Sequence, residues 1–292
     1  MRIEISQDTP EWREWRNDGI TASSAGALLG ESPYLSKYEL WLELTGRKPP
    51  PEMNDAMRHG TLMEPVARAN YAAKIGIGME PACYQHDEYP FMRASLDGIS
   101  FDGKQIAEFK CPTYWTWQKI LSTGEPPVYW ISQVQYQLIC CGAESGTLSI
   151  YNDQNKESVE FEVCLTDDIE TRLIEAAKDM WRCIETDTPP DLGDSDYALI
   201  EGTDFDDAAS RYKSAVSALK FAKEAEKLAK AQLLEFTDDG NCIGSGLRLT
   251  RVIKKGLVNW EKIKVDYDIP DDKVEEYRKP ESFYWKITET NK

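Results

Sequence analysis

Residues 91–112, FMRASLDGISFDGKQIAEFKCP, constrain this chain more than any other stretch, because they read as two strands joined by a tight turn at Asp102-Gly103. Asp97 falls on the first strand and Glu108 on the second, so a hairpin brings the two carboxylates together at one end of a sheet. Strand side chains alternate, which puts Lys110 on the same face as Glu108. The result is a cluster of two anions and one cation. Two carboxylates offer the hard oxygen ligands that suit Mg²⁺ or Mn²⁺. Such an ion polarises a phosphoryl oxygen and lowers the pKa of a water, with Lys110 placed to orient that water or offset charge building on phosphorus. An acid-x-Lys triple alone is weak guidance in a chain with 29% charged residues, which also holds Asp102-Gly103-Lys104 and Asp271-Asp272-Lys273. Only Glu108-Phe109-Lys110 sits in an apolar strand (Ile106, Ala107, Phe109) with another acid on the strand before it. The pattern by itself leaves a metal site and a surface salt bridge both open.

The rest of the chain supplies helices around this hairpin. The first fifty residues read as helical with a break at Gly30 to Pro33, and a second helical stretch covers about Asn54 to Ile75, with Pro65 starting its main body or kinking it and Gly76 and Gly78 closing it. After the hairpin, residues 113–122 and 129–141 read as helices separated by the Gly124 to Pro127 loop. Strands are expected at about 146–151 and 158–165, and an amphipathic helix from Asp167 to about Glu185. This order predicts an α/β layout with one central mixed sheet flanked by helices. Pro189, Pro190, Gly193 and Gly202 mark a linker, which divides the chain into a core, 1–200, and a C-terminal accessory module, 201–292. The module reads as a long helix from Asp204 to Phe236 followed by a strand at GLRLTRVI.

Composition narrows the function. The formal charge of -17 argues against a protein that coats nucleic acid through a uniformly positive surface, but an enzyme needs positive potential only locally, so an uneven charge distribution is expected. No apolar run approaches the length of a membrane span, and the N-terminus lacks the apolar stretch of a signal peptide, which makes the cytoplasm the expected location. The seven cysteines show no CxxC pairing and read as reduced thiols. With only His59 and His86 in the chain and no G-x-S-x-G or G-K-[ST] loop, serine-triad hydrolysis and ATP-driven motor activity lack their parts.

Four segments in order give the block a resemblance to known proteins: Trp12-x-x-x-Arg16 followed by Ile20-Thr21-Ala22-Ser23; Gly60-x-x-x-Glu64; Ser95-Leu96-Asp97-Gly98 followed by Glu108-Phe109-Lys110-Cys111-Pro112; and Gln133-Val134-Gln135-Tyr136. Together they resemble the nuclease core of the PD-(D/E)xK superfamily, and more closely the lambda exonuclease and YqaJ-type viral recombinase family. The likeness spans about residues 12 to 141 and fades beyond. It implies a restriction-endonuclease-like core. Asp97 and Glu108 are then metal ligands joined by the backbone carbonyl of Phe109, Lys110 is the catalytic lysine, and Glu64 takes part in binding a second metal or its water. Arg16, Ser23, Ser95 and Gln133 resemble the pocket that grips a 5′-terminal phosphate, with Gln135 and Tyr136 beside it as DNA contacts. A guanidinium with hydroxyl and amide donors suits such a dianion.

The activity implied is Mg²⁺-dependent 5′ to 3′ digestion of double-stranded DNA ends, leaving 3′ single strands for recombination. A homotrimer threaded by DNA, a single-strand annealing protein as partner, and a phage or prophage origin in a bacterial host come with the resemblance. Two other readings stay open: an endonuclease or nickase on the same core, and a catalytically silent binding module assembled through the 204–236 helix. Arg248, Arg251, Lys254 and Lys255 form the densest basic group and are read either as a contact for DNA or an acidic partner, or as a solvated edge strand.

Overall fold

The computed structural model describes residues 1–200, 202–237, 240–253, 256–257, 259–271 and 273. The chain divides into two compact units, Met1–Leu199 and Ile200–Lys292.

In the first unit the elements run β1 (Arg2–Ile3), α1 (Pro10–Asn17), β2 (Ile20–Thr21), a 3-10 turn (Ala22–Ser24), α2 (Ala25–Leu28), α3 (Lys37–Leu44), α4 (Asp55–Ile75), β3 (Met79–Gln85), β4 (Met92–Ser100) and β5 (Gln105–Lys110). They continue with α5 (Tyr114–Thr123), α6 (Val128–Cys141), β6 (Ser145–Asn152), β7 (Glu157–Val163) and α7 (Asp167–Glu185). The sheet order is β1-β3-β4-β5-β6-β7, with β2 also paired to β4. The β5–β6 and β2–β4 pairs are parallel and the others antiparallel, so the expected mixed sheet flanked by helices is borne out. A parallel β5–β6 pair needs a long crossover, and α5 and α6 supply it.

Local chemistry fixes the helix ends. Thr9 accepts from the Trp12 N–H and Pro10 opens α1, while Ser36 and Glu39 form a capping box on α3. Asn54 caps α4, and Gly76 ends it at φ 71°. Pro65 lies inside α4. In α7, Leu173, Ala177 and Met180 are buried at helical spacing, and Thr166 caps an acidic first turn.

The sheet is covered on both faces. Ile106 belongs to the main core with residues of α2, α3, α6 and α7, whereas Ala107 and Phe109 pack with Ala67 and Tyr71 of α4 and with Tyr151. Alternation along β5 therefore sends Ile106, Glu108 and Lys110 to one face and Ala107 and Phe109 to the other. Gly98 makes room for this arrangement: a Cβ there would stand 3.2 Å from the Phe109 ring and 3.3 Å from Met79 Cβ.

Three local expectations are corrected. ITASSAGALLG begins as a strand, since Ile20 and Thr21 pair with Met92 and Arg93. The Met79–Gln85 strand was not expected; it holds Pro81 at a register shift between Glu80 and Ala82, which hides its period. The hairpin loop is longer than two residues, with Gly103 N–H donating to the Ser100 carbonyl.

The second unit holds α8 (Thr203–Leu234), the hairpin β8 (Cys242–Gly244) and β9 (Leu247–Leu249), and α9 (Trp260–Asp266). Ser245 and Gly246 both take positive φ, 46° and 76°, as a two-residue hairpin turn of primed type requires. The strand expected at GLRLTRVI is thus confined to Leu247–Leu249, and Arg248 lies on it. Lys254 and Lys255 of the basic group lie outside the described residues. Among the described residues no helix is long and apolar enough to cross a membrane.

Candidate functional site

The site begins where two strands part. β4 and β5 pair only at Gly98↔Ala107 and Ile99↔Ile106; the next opposed positions are Asp97 and Glu108, and there the ladder stops. β5 continues alongside β6 as far as Lys110, while β4 pairs with β2 through Met92 and Arg93, on the edge that β5 has left. Asp97 fills the fork: its Oδ2 accepts the Phe109 N–H at 2.9 Å, in place of a backbone carbonyl. The N–H and C=O of one strand residue leave by the same edge, so the Phe109 carbonyl also turns toward Asp97. From α4, Arg68 donates to the Asp97 carbonyl and, at 3.3 Å, to Glu64.

Glu108 is 2% exposed, and every partner it has is polar. Its Oε1 accepts from Lys110 Nζ at 2.6 Å and from Gln133 Nε2 at 2.6 Å; its Oε2 accepts from Gln137 Nε2 at 2.6 Å. Lys110 also donates to Gln133 Oε1 at 3.0 Å, closing a three-membered ring of hydrogen bonds. The electrostatics are those of anions crowded away from water. Burial, then the charges of Glu108 and Glu64, push the Asp97 carboxyl well above its ordinary range. Burial also raises Glu64, with Glu108 and Asp8 adding to it against the opposing Arg68. Burial pulls the Lys110 ammonium down, but attraction to Glu108 and Asp97 outweighs it and holds the group above its usual value.

Beside the fork lies a second polar cluster. Ser95, two residues before Asp97 on β4, accepts from Trp12 Nε1 at 2.9 Å and from Arg16 Nη1 at 3.3 Å. Arg16 Nη2 reaches Ser23 Oγ at 3.4 Å, Ser23 shares a proton with Thr21 Oγ1 at 2.9 Å, and the guanidinium lies 4.7 Å over the Trp12 ring. Burial lowers the Arg16 pKa. Both of its hydrogen-bonding partners are hydroxyls and its ring contact is Trp12, so no carboxylate among the described residues pairs with the guanidinium and its charge is left for an anion from outside.

Of the residues singled out in the sequence, Asp97, Glu108, Phe109 and Lys110 meet at the fork, and Arg16, Ser23 and Ser95 meet beside it. Gln133 bonds to Lys110 and Glu108 rather than to Arg16. Gln135 and Tyr136 need correction. Gln135 donates to the Cys164 carbonyl at 3.1 Å, away from the fork, and Tyr136 is fully buried with its hydroxyl on the Ile20 carbonyl at 2.8 Å, where it anchors β2. Successive helix residues point about 100° apart, so neighbours of Gln133 cannot share its face. The residue that does is Gln137, one turn on; it is 1% exposed and was not singled out. Its i, i+4 spacing from Gln133 was the available signal. Arg68, four residues after Glu64, was missed although the same spacing marks it.

The donor set fits a hard divalent cation. Among the described residues no three His, Cys, Asp or Glu side chains gather as a metal-binding group. Glu64 pairs with Arg68 at 3.3 Å. What the fork offers is two carboxylates and a carbonyl, all oxygen, and Mg²⁺ is commonly bound through one or two carboxylates while keeping several waters. Asp97 Oδ1 has no donor among the described residues.

Residues 11–144 match the model of the YqaJ-like viral recombinase domain. The chain is 32% identical over 144 residues to YqaJ of Bacillus subtilis (strain 168), a match that takes in 48% of this chain and only 44% of that relative's length. Its fold superposes on a crystal structure of an alkaline exonuclease (LHK-Exo) from Laribacter hongkongensis with a TM-score of 0.53 and 28% identity, over 61% of this chain and 95% of that one. The same enzyme in complex with dAMP gives a TM-score of 0.56 and 26% identity, over 62% and 94%. The stretch that builds both the fork and the Arg16 cluster is thus the stretch that matches the YqaJ-like viral recombinase domain.

Proposed function

We propose that this protein is a metal-dependent exonuclease that digests double-stranded DNA from its ends in the 5′ to 3′ direction, leaving 3′ single strands for homologous recombination by annealing. The observation that carries this reading is the placement of two complementary clusters on one strand. Ser95, with Arg16 and Ser23, and Asp97, with Glu108 and Lys110, stand two residues apart on β4. Two strand residues span about 7 Å, the scale of one nucleotide. A terminal phosphate gripped by Arg16 then presents the next phosphodiester to the carboxylates, which is the geometry for removing nucleotides one at a time.

Asp97, Glu108 and the Phe109 carbonyl would hold Mg²⁺, or Mn²⁺ in its place, with Glu64 toward a second ion or its water. Bound there, the ion supplies Lewis-acid polarisation of the phosphodiester and a water of lowered pKa. Lys110, fixed by Glu108 and Gln133, holds its positive charge where anionic charge grows in the transition state. Gln133 and Gln137 hold the Glu108 carboxylate in one orientation, and Arg16 positions the strand end. The Laribacter enzyme, an exonuclease crystallised with dAMP, supports the reaction class. We assign the nuclease core to residues 1–200 and an accessory role to 201–292. A homotrimer, a single-strand annealing protein as partner, and the cytoplasm of a phage-bearing bacterium complete the proposal.

The test is digestion of linear duplex DNA, 5′-phosphorylated or not, in Mg²⁺ or EDTA, by wild type, Lys110→Ala and Arg16→Ala, with closed circular plasmid as control. Expected are metal-dependent loss of linear DNA that prefers the 5′-phosphate, intact circles, no digestion by Lys110→Ala, and loss of the 5′-phosphate preference in Arg16→Ala. Nicked circles would replace the exonuclease by an endonuclease, and no metal-dependent cleavage would overturn the reading.

A further inference from the structure

The long helix of the second unit, α8, has no buried residue, yet large apolar side chains recur along it: Phe205, Tyr212 and Leu219 are 51%, 45% and 53% exposed. They stand seven residues apart, with Glu226 and Leu233 next in the same row. A second row, three residues on, repeats at the same interval and is small throughout: Ala208, Ala215, Ala222 and Ala229. Two such rows are the a and d positions of a helix that packs along another helix. From Phe205 to Ala229 they cover about 36 Å of helix. The other described helix of this unit, α9 (Trp260–Asp266), is about 10 Å long and too short to cover them.

Size and charge together select the occupant. In a parallel pair of two copies each residue meets itself, so Glu226 would be buried against Glu226 and the alanine rows would face each other across unfilled space. An antiparallel pair sets each large residue against an alanine. Phe205 then lies opposite Ala229 of the second copy, Tyr212 opposite its Ala222, Leu219 opposite its Ala215, and Glu226 opposite its Ala208. This alternation of large and small fills the seam and keeps the two Glu226 carboxylates at opposite ends of it. Charge fixes the register. Asp206 stands level with position 228 of the second copy, between Lys227 and Lys230 on the same edge of the seam. One heptad further along it would face Glu235, and Phe205 would meet Phe236. Lys213, Lys220 and Lys223 gather on that edge near the middle, where their long stems carry the ammonium groups out to solvent.

We propose that α8 is a self-pairing arm: two copies of this chain join through their α8 helices, antiparallel, in the register that sets Tyr212 against Ala222. The contact is isologous, each copy giving the same face, so it closes at two chains. On its own it gives a dimer; combined with the core trimer proposed above, it joins two trimers into a hexamer. Either particle holds an even number of chains. The pairing uses no residue of the fork and does not draw on the nuclease reading.

Sedimentation equilibrium of the full chain, with far-UV circular dichroism alongside, tests the arm. Wild type should sediment as a dimer or a hexamer. Ala222→Tyr, which sets a ring against Tyr212, and Ala215→Arg, which sets a charge against Leu219, should each halve the mass. Tyr212→Ala combined with Ala222→Tyr exchanges large for small within one layer and should restore the mass and helix content of wild type. That rescue belongs to this register alone: a shift of one heptad places Leu219 against residue 222, and a parallel pair sets residue 222 against itself in both variants. A wild-type particle with an odd number of chains, the monomer included, an Ala222→Tyr protein of unchanged mass, or a double variant that stays dissociated would overturn the pairing.

Discussion

Two acid-x-Lys triples stand on one hairpin, Asp102-Gly103-Lys104 at its closed end and Glu108-Phe109-Lys110 at its open end, and they meet opposite fates. At the closed end each charge is satisfied nearby and in water. Ser100 Oγ donates to Asp102 Oδ1 at 2.5 Å, the Lys104 N–H reaches the same oxygen at 3.1 Å, and Lys104 Nζ pairs with Glu144 at 2.7 Å. The Ser100 hydroxyl and the Lys104 N–H hold Asp102 below the usual carboxylate range. At the open end the strands separate, the acids are buried, and their partners are the Phe109 N–H and Lys110 of β5 and Gln133 and Gln137 of α6. Burial and neighbouring anions hold Asp97 above that range. Charge pattern and spacing are the same in both triples, so what makes one a candidate centre is a fork that leaves buried carboxylates short of positive charge, which is the condition a cation relieves.

The largest break in this comparison is expected from Glu108→Gln, which removes the charge while keeping the shape. Cleavage of linear duplex should fall by about 10³-fold or more, since both cation binding and the anchor for Lys110 are lost. Circular dichroism should show the fold retained. A variant that keeps cleavage within tenfold of wild type would show that the open-end triple is no more a centre than the closed one.

A smaller effect separates two glutamines on α6. Gln137→Leu strips Glu108 Oε2 of its donor, and loss of such an orienting bond should raise the Mg²⁺ concentration for half-maximal cleavage by about 10- to 100-fold. Gln135→Leu, whose amide binds the Cys164 carbonyl, should leave that midpoint unchanged. Equal midpoints for the two variants would remove Gln137 from the site.

These two positions also mark what the sequence could and could not say. Long periodic segments were legible: α4, α6 and α7 lie within a residue or two of where their patterns place them, and the hairpin follows from its turn residues and its two acids. β1 and β2 have two residues each and carry no period at all, and β3 is interrupted at Pro81. In the candidate site the acids and Lys110 could be read because they lie on one hairpin, where register is local. The α6 contacts depend on helix rotation. Proximity to Gln133 in sequence suggested Gln135 and Tyr136, whereas one turn of helix selects Gln137.

The crowding at the open end makes a stability prediction of opposite sign to most substitutions in a buried site. Asp97→Asn removes a carboxylate that burial and Glu108 disfavour and keeps an oxygen for the Phe109 N–H. In EDTA its Tm should rise by about 2–4 °C, the usual exchange of stability against activity at a functional site. Added Mg²⁺ should raise the Tm of wild type and leave that of the variant unchanged. A lower Tm for Asp97→Asn in EDTA would mean that the carboxylate is well satisfied without a cation, and the contrast between the two ends would then rest on burial alone.

The smallest effect belongs to the closed end. Asp102→Asn and Lys104→Ala should leave cleavage unchanged and move Tm by no more than about 2 °C, because exposed polar turns contribute little. The direction with pH is still fixed. Asp102 is held lower in the folded chain than in the unfolded one, so its share of stability is present above the ordinary aspartate range and fades as pH falls through its folded value. The difference in Tm between wild type and Asp102→Asn should therefore shrink toward zero in acid and be largest near neutrality. If Lys104→Ala instead lowers cleavage as much as Lys110→Ala, the two ends are coupled through the hairpin, and the fork is not the element that confers the chemistry.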